Sequence, residues 1–382
     1  MRNPFIVSGY VSPEYFCDRE KESVELIRKV TNGNNLVLIS SRRMGKTGLI
    51  EHCFGNEAIA GRYYTFYVDI YATSNLQEFV FKLGKEIFES LKPKGRKFVD
   101  FFFNIISSLR PAFKLDEKTG APIFDIGIGE IRSPEVTLEE IFSYLERADK
   151  QCIVAIDEFQ QINKYPEENI EAILRTHIQR CRNTVFIYSG SRRTLMQNIF
   201  FSSSRPFYQS AALLSLEAIN EKTYIKFAQQ LFSLGNKTVK PDVIRKTYRL
   251  FEGHTWYIQA IMNELYSLLD DFKPCAVKMF QQAVADRIAS YESLYLGTLN
   301  LLSDRQKELL YAIAREGKAM EIFSGDFIRR HGLHSAGSVQ TSAKYLIDKD
   351  IITKEDNFYL VYDRFFGLWL QKHFGTGLLP VI

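Results

Sequence analysis

The run SSRRMGKT at 40–47 holds the residues best suited to chemistry. A loop that cradles phosphates needs a glycine-permissive backbone, a lysine and then Ser or Thr, set between a strand and a helix. Gly45, Lys46 and Thr47 stand in that order, with Ser40 where the pattern G-x-x-x-x-G-K places its first glycine. Backbone N–H groups of Ser41, Arg42, Arg43, Met44 and Gly45, and of Gly48 at the helix start, would face the phosphates. Lys46 would reach the β and γ phosphates and the Thr47 hydroxyl would ligate magnesium. The cofactors this implies are ATP and Mg2+.

A second constellation lies in QCIVAIDEFQQI at 151–162. The apolar run reads as a buried strand, and Asp157 and Glu158 come next at its C-terminal end, the edge where open α/β sheets bind ligands. Asp157 there can hold magnesium through water, and Glu158 can polarise the attacking water. The two acids could instead cap the next segment. In TVFIYSGSRRTL at 184–195, Ser191, with Ser189 as its alternative, is the candidate to sense the γ phosphate. Arg205, in FSSSRPFYQS, could stabilise charge in its own subunit or a neighbour's, or be a structural arginine before Pro206.

Elements that position these groups can be read along the chain. DREKESVELIRKV from Asp18 reads as a helix with Asp18 as N-cap. LVLIS at 36–40 reads as a buried strand, Gly45–Phe54 as a helix, Arg62–Ile70 as a strand and 75–90 as a helix. KPKGRK at 92–97 reads as a solvated basic cluster, FVDFFFNIISSL as a helix, and PIFDIGIGEI as part of a hairpin or insertion before a helix at 136–148. Further strands are expected at 152–157 and 184–190, with a helix near 167–181 between them. This strand–helix alternation from 36 to 190 predicts an α/β fold with a parallel sheet. From about 215 to 290 only helices are expected. Ser303–Arg315, Ser324–Arg330 and Ser335–Ile347, then the alternation IITKEDNFYLV, read as three helices and a hairpin, a winged helix.

Composition narrows the function classes. The 382 residues are 46% hydrophobic and include 30 Phe and 20 Tyr, ample for buried cores. Net charge is +4, from 49 Lys and Arg against 45 Asp and Glu, which permits nucleic-acid contact without asking for it. The five cysteines are scattered without a CxxC pair, so neither a disulfide framework nor a cysteine zinc site is expected. No run reaches membrane-spanning length and no secretory signal is seen, which points to the cytoplasm.

Taken together these residues resemble the archaeal-type AAA ATPases of the STAND class, P-loop ATPases with a C-terminal winged helix. Phe16, Asp18, Arg19 and Glu20 answer to an F-x-x-R-E-like motif, SSRRMGKT to GPRRxGKT, VAIDEFQ to a strand ending in DE, and YSGS to one ending in GS. FEGHTWYIQAI at 251–261 is similar to a G-H-P-x-Y motif, and YLVYDRFFGLWLQ at 359–371 to Y-x-x-x-D-P-x-F-x-x-W-L. The chain departs from the pattern at Ser40 and Ser41 for Gly-Pro, and at Thr255 and Arg364 for prolines. The resemblance implies an AAA+-type ATPase core over 1–215 with an insertion about 92–131, a helical lid over 216–300 and a winged helix over 301–382. It implies that Phe16, Asp18 and Arg19 lie near the adenine. It also brings His254 toward the nucleotide, where the residue alone reads as a helix-start or core histidine. The activity implied is ATP hydrolysis driving a conformational switch on a macromolecular partner.

The partner expected is a protein or a second copy of the chain. DNA could be read through Ser338, Gln340, Thr341 and Lys344, although residues 301–382 balance 11 Lys and Arg against 10 Asp and Glu. Two alternatives to turnover are a nucleotide-gated binding module and a DNA-associated regulator.

Overall fold

The computed structural model describes residues 3–91, 96–115, 122–124, 131–270, 274–275, 277–355 and 357–375. The chain divides into two compact units, Ser8–Ile219, and Met1–Val7 together with Asn220–Ile382.

In the first unit, α1 (Glu20–Thr31), β1 (Leu36–Ile39), α2 (Lys46–Phe54), β2 (Tyr64–Asp69) and α3 (Leu76–Leu91) succeed one another. After α4 (Arg96–Ile105) come β3 (Phe113–Leu115) and β4 (Pro122–Phe124), an antiparallel pair inside the expected insertion. Much of KPKGRK and of PIFDIGIGEI lies outside the described residues. α5 (Pro134–Glu146), β5 (Cys152–Asp157), α6 (Ile170–Arg180), β6 (Thr184–Gly190), α7 (Arg193–Phe201) and β7 (Ala212–Ser215) complete the unit.

Five strands form a parallel sheet in the order β2-β5-β6-β1-β7. β1, β5 and β6 are buried along their whole length, which is why they read as unbroken apolar runs. Side chains alternate across the sheet. Leu36, Leu38, Ile153, Ala155, Val185 and Ile187 join α1 and α2 in one core layer. Val37, Ile39, Val154, Ile156, Phe186 and Tyr188 join α3, α5 and α7 in the other. Burying each large apolar side chain contributes ~1.5–3 kcal/mol, so the sheet is rigid where it presents its strand ends.

Two expectations for this unit need correcting. Asp18 does not cap α1: the helix starts at Glu20, and Asp18 and Arg19 both take left-handed backbone, φ 54° and 67°. β7 has no counterpart among the expected strands. It is only four residues long and Leu213 is 43% exposed, so edge placement hides its signal.

The second unit contains α8 (Glu221–Leu234), β8 (Thr238–Val239), α9 (Pro241–Leu250), α10 (Thr255–Leu268), β9 (Pro274–Cys275), α11 (Val277–Ala289) and α12 (Glu292–Asn300). β8 and β9 pair in parallel, so this region is not purely helical; two residues per strand are too few to show periodicity. α13 (Asp304–Glu316), β10 (Ala319–Met320), α14 (Gly325–His331), α15 (Ala336–Asp348), β11 (Ile352–Glu355) and β12 (Phe358–Val361) form the winged helix, with strand order β10-β12-β11. The last helix, α16 (Arg364–Phe374), is started by Asp363, whose carboxylate accepts from the N–H groups of Phe365 and Phe366. Ser303 and Gln306 close a reciprocal capping box at the start of α13. Among the described residues no helix is long and apolar enough to cross a membrane.

Candidate functional site

β1, β5 and β6 are adjacent and parallel, so the residues just beyond each strand emerge at one edge of the sheet. After β1 comes the loop 40–45, after β5 the acid Glu158 beside the terminal Asp157, and at the end of β6 Gly190 and Ser191. The turn is tightened at Arg43 and Gly45, with φ 66° and 92°, whereas Ser40 is not among the positive-φ residues. This is the physical reason that Ser can stand at the first glycine position. Ser40 is fully buried, and its hydroxyl donates to the carbonyl of Ser41 at 2.9 Å. Gly45 ends the loop at the N-terminus of α2, where unpaired N–H groups favour an anion.

Lys46 is buried at 6% exposure. Burial pushes its pKa down, opposed by the carboxylates of Glu158 and Asp157. Thr47 Oγ1 lies 3.3 Å from Asp157 Oδ2 and 3.1 Å from the hydroxyl of Tyr67. Tyr67 donates to the same Oδ2, while Oδ1 accepts the N–H of Glu158 at 2.9 Å. Burial and the neighbouring Asp157 push the Tyr67 phenol far above its usual value, so it keeps its proton. Thr47 and Asp157 thus offer hard oxygen donors side by side. Among the described residues no cluster of three or more His, Cys, Asp or Glu could hold a metal ion. The donor set therefore fits a magnesium ion held mainly by phosphate oxygens and water, with one or two protein oxygens.

Glu158 has a left-handed backbone, φ 55°, an arrangement that costs a non-glycine residue ~1–3 kcal/mol and clusters at functional sites. Its Oε2 accepts from Ser191 Oγ at 2.7 Å and from Gln160 Nε2. The structure therefore joins Ser191 to Glu158. Ser189 is fully buried, and its hydroxyl has no hydrogen-bond partner among the described residues. Gln160 closes the VAIDEFQ run, but the sequence assigns it no role. Its position depends on Gly190, where an added Cβ would stand 2.4 Å from Gln160 Oε1 and 2.5 Å from Met196 Sδ. Gly190→Ala is therefore expected to destabilise the unit by about 1–3 kcal/mol through overpacking. Thermal unfolding of the variant checks this, and an unchanged melting temperature would show that Met196 and Gln160 move aside freely.

The N-terminal motif lies partly against α2. Phe16 stacks on His52 at 4.5 Å between ring centres, tilted 18°, and Tyr10 bonds His52 Nδ1 through its hydroxyl at 3.0 Å. Gly48 faces the Phe16 ring, whose Cε2 would be 3.5 Å from an added Cβ. Arg19 is buried at 3% exposure and donates to the carbonyls of Met44 at 3.2 Å and Glu217 at 2.6 Å, and to Glu22 at 2.8 Å. Its guanidinium thus braces the loop backbone. Arg42 lies over the ring of Tyr71 at 5.3 Å.

Two further candidates have partners of their own. Arg205 pairs with Glu171 and donates to Asn163 at 2.6 Å. His254 belongs to the second unit, at the start of α10, with Nδ1 2.9 Å from the carbonyl of Phe251. Burial, helped by the Arg364 charge, pushes its pKa down. In the winged helix, Gln340, Thr341 and Lys344 are exposed on α15, and Ser338 is half-buried.

Comparison with known proteins bears on this geometry. A family model described as "ATPase domain predominantly from Archaea" matches residues 16–261. A second, "Probable winged helix domain", matches residues 293–372. An uncharacterized ATP-binding protein of Methanocaldococcus jannaschii is 28% identical over 161 residues, covering 38% of this chain and 43% of that protein. The chain thus matches under half the length of that relative. The Walker-type ATPase of Pyrococcus abyssi has a similar fold, with a TM-score of 0.66 at 19% identity, over 96% of this chain and 99% of that one. The ORC2 protein of Aeropyrum pernix, solved with ADPNP and ADP, is also similar, at 0.58 and 14%, over 95% and 94%.

Proposed function

Since the chain belongs to the family of ATPase domains found predominantly in Archaea, we propose that it binds ATP with magnesium and hydrolyses it, using the cycle as a conformational switch on a macromolecular partner. One observation carries this reading: Lys46, Thr47, Asp157, Glu158 and Ser191 meet at one edge of three adjacent parallel strands. The loop N–H groups and Lys46 would hold the β and γ phosphates, and Lys46 would offset charge developing on the leaving oxygen. Glu158 would take the proton of a water attacking the γ phosphorus as the bond to the β-phosphate oxygen breaks. Its Oε2 is held by Ser191 and Gln160, so the other carboxylate oxygen, Oε1, would take that proton; Ser191, if it let go of Oε2, could donate to a γ-phosphate oxygen. Thr47 and, through water, Asp157 would hold magnesium, which would supply charge that neutralises the phosphates.

The test is phosphate release from ATP by the whole chain, with magnesium and with EDTA. Release that requires magnesium is the expected result, and neither release nor ATP binding would overturn the reading. Tight ATP binding without release would support a nucleotide-gated binding module instead. That reading is favoured by a single feature, the hydrogen bonds from Ser191 and Gln160 that tie the Glu158 carboxylate in place. The partner is read as a protein or a second copy, since the winged helix has near-balanced charge; Gln340, Thr341 and Lys344 are the residues by which it would read DNA. The five scattered, buried cysteines suit a reducing compartment such as the cytoplasm.

A further inference from the structure

Tyr67 belongs to none of the sequence motifs, yet its hydroxyl touches both of the oxygens that would serve the metal. β2 pairs with β5 so that Tyr67 stands opposite Ala155 and Asp69 opposite Asp157. The length of the phenol carries its hydroxyl forward to the carboxylate at the strand end. It has one proton to give, and gives it to Asp157 Oδ2. At the 3.1 Å contact with Thr47, the Thr47 hydroxyl must then be the donor. A hydroxyl whose proton is directed to Tyr67 keeps its lone pairs free for a cation. The other acceptor within reach of that proton, Asp157 Oδ2, is at 3.3 Å, a poorer bond.

We infer that Tyr67 is a positioning residue of the metal site, orienting the Thr47 hydroxyl and locking the Asp157 carboxylate so that the pair accepts a hard dication. Asp157 is then held at both oxygens, by Tyr67 and by the N–H of Glu158. Hydrogen bonds to the groups that hold a metal commonly contribute 10–100-fold to its affinity. The inference rests on the magnesium–ATP reading of the same site.

The test compares binding of a fluorescent ATP analogue to the native chain and to Tyr67→Phe, with magnesium and with EDTA. Manganese bound per chain in the presence of ATP, read by electron resonance, gives a second measure. The Phe ring keeps the packing and loses only the hydroxyl. The variant is expected to bind nucleotide as tightly as the native chain in EDTA, while its tightening by magnesium and its manganese affinity fall about tenfold or more. Equal magnesium tightening in both chains would overturn the inference and leave the ATP reading intact. So would a variant whose affinity falls equally in EDTA and whose melting temperature drops, since that marks a packing role. A native chain that binds no nucleotide would overturn the ATP reading and this inference with it.

Discussion

Glu158→Gln is expected to lower ATP turnover by about 10²–10⁴-fold while leaving ATP bound at close to native affinity. The amide keeps the shape of the side chain and can still accept from Ser191 through its oxygen. It cannot take a proton from water. Because Glu158 sits beyond β5 with its left-handed backbone, the substitution leaves the strand and the loop in place. The measurement is paired: phosphate release at saturating ATP, and ATP affinity by titration. Native turnover in the variant would remove Glu158 from the role of base. Loss of affinity as large as the loss of turnover would assign it to binding instead.

Lys46→Ala should act at the earlier step. The ammonium is almost wholly buried between the loop and the two acids. Removing it takes away a charge-assisted contact to phosphate and leaves Asp157 and Glu158 without their cation, so two negative groups face the incoming polyanion. A hydrogen bond to a charged group contributes ~1.5–3 kcal/mol, and repulsion adds to its loss. ATP affinity is expected to fall by at least ~100-fold, which is ~2.7 kcal/mol, with turnover lost alongside. Calorimetric titration of both chains measures it. Burial, with the Arg42 charge, pushes the Lys46 pKa down, so the variant is relieved of a buried charge even as the two acids lose an opposing one, and thermal unfolding checks that the fold persists. Native affinity in Lys46→Ala would sink the assignment of the loop as a phosphate cradle.

The sequence makes some of this site readable and hides the rest for physical reasons. β1, β5 and β6 are covered on both faces, so burial forces the unbroken apolar runs that mark them, and the polar residues at their ends stand out. Gly45, Lys46 and Thr47 are local in the chain, so spacing alone reports them. Tyr67 and Gln160 are different. Tyr67 meets Asp157 from 90 positions away, and only the register of β2 on β5 brings them together. Tyr67 sits in an aromatic strand where every neighbour also looks like core. Gln160 depends on a glycine thirty residues later. Phe16 is visible as part of a motif, but its stacking on His52 is set by how the entry segment crosses α2. Asp18 misleads because Asp before a helix usually caps it, whereas here the chain spends two left-handed residues turning the Arg19 guanidinium inward.

That inward arginine ties together parts of the chain that are far apart in sequence. Its Nη2 donates to the carbonyl of Met44, next to Gly45, and its Nη1 to the carbonyl of Glu217, two residues before the chain leaves the ATPase unit at Ile219. Glu217 is also tethered through its own carboxylate to Arg193, at the start of the helix after Ser191. The loop, the segment that follows β6 and the exit segment are therefore linked through Arg19 and Glu217. A shift of Met44 cannot be absorbed locally, because the guanidinium is planar and its donors are spaced by covalent geometry. Either the exit segment moves with the loop or a bond to a buried arginine is broken. The fold thus gives the phosphate loop a stiff linkage to the point where the chain leaves the ATPase unit.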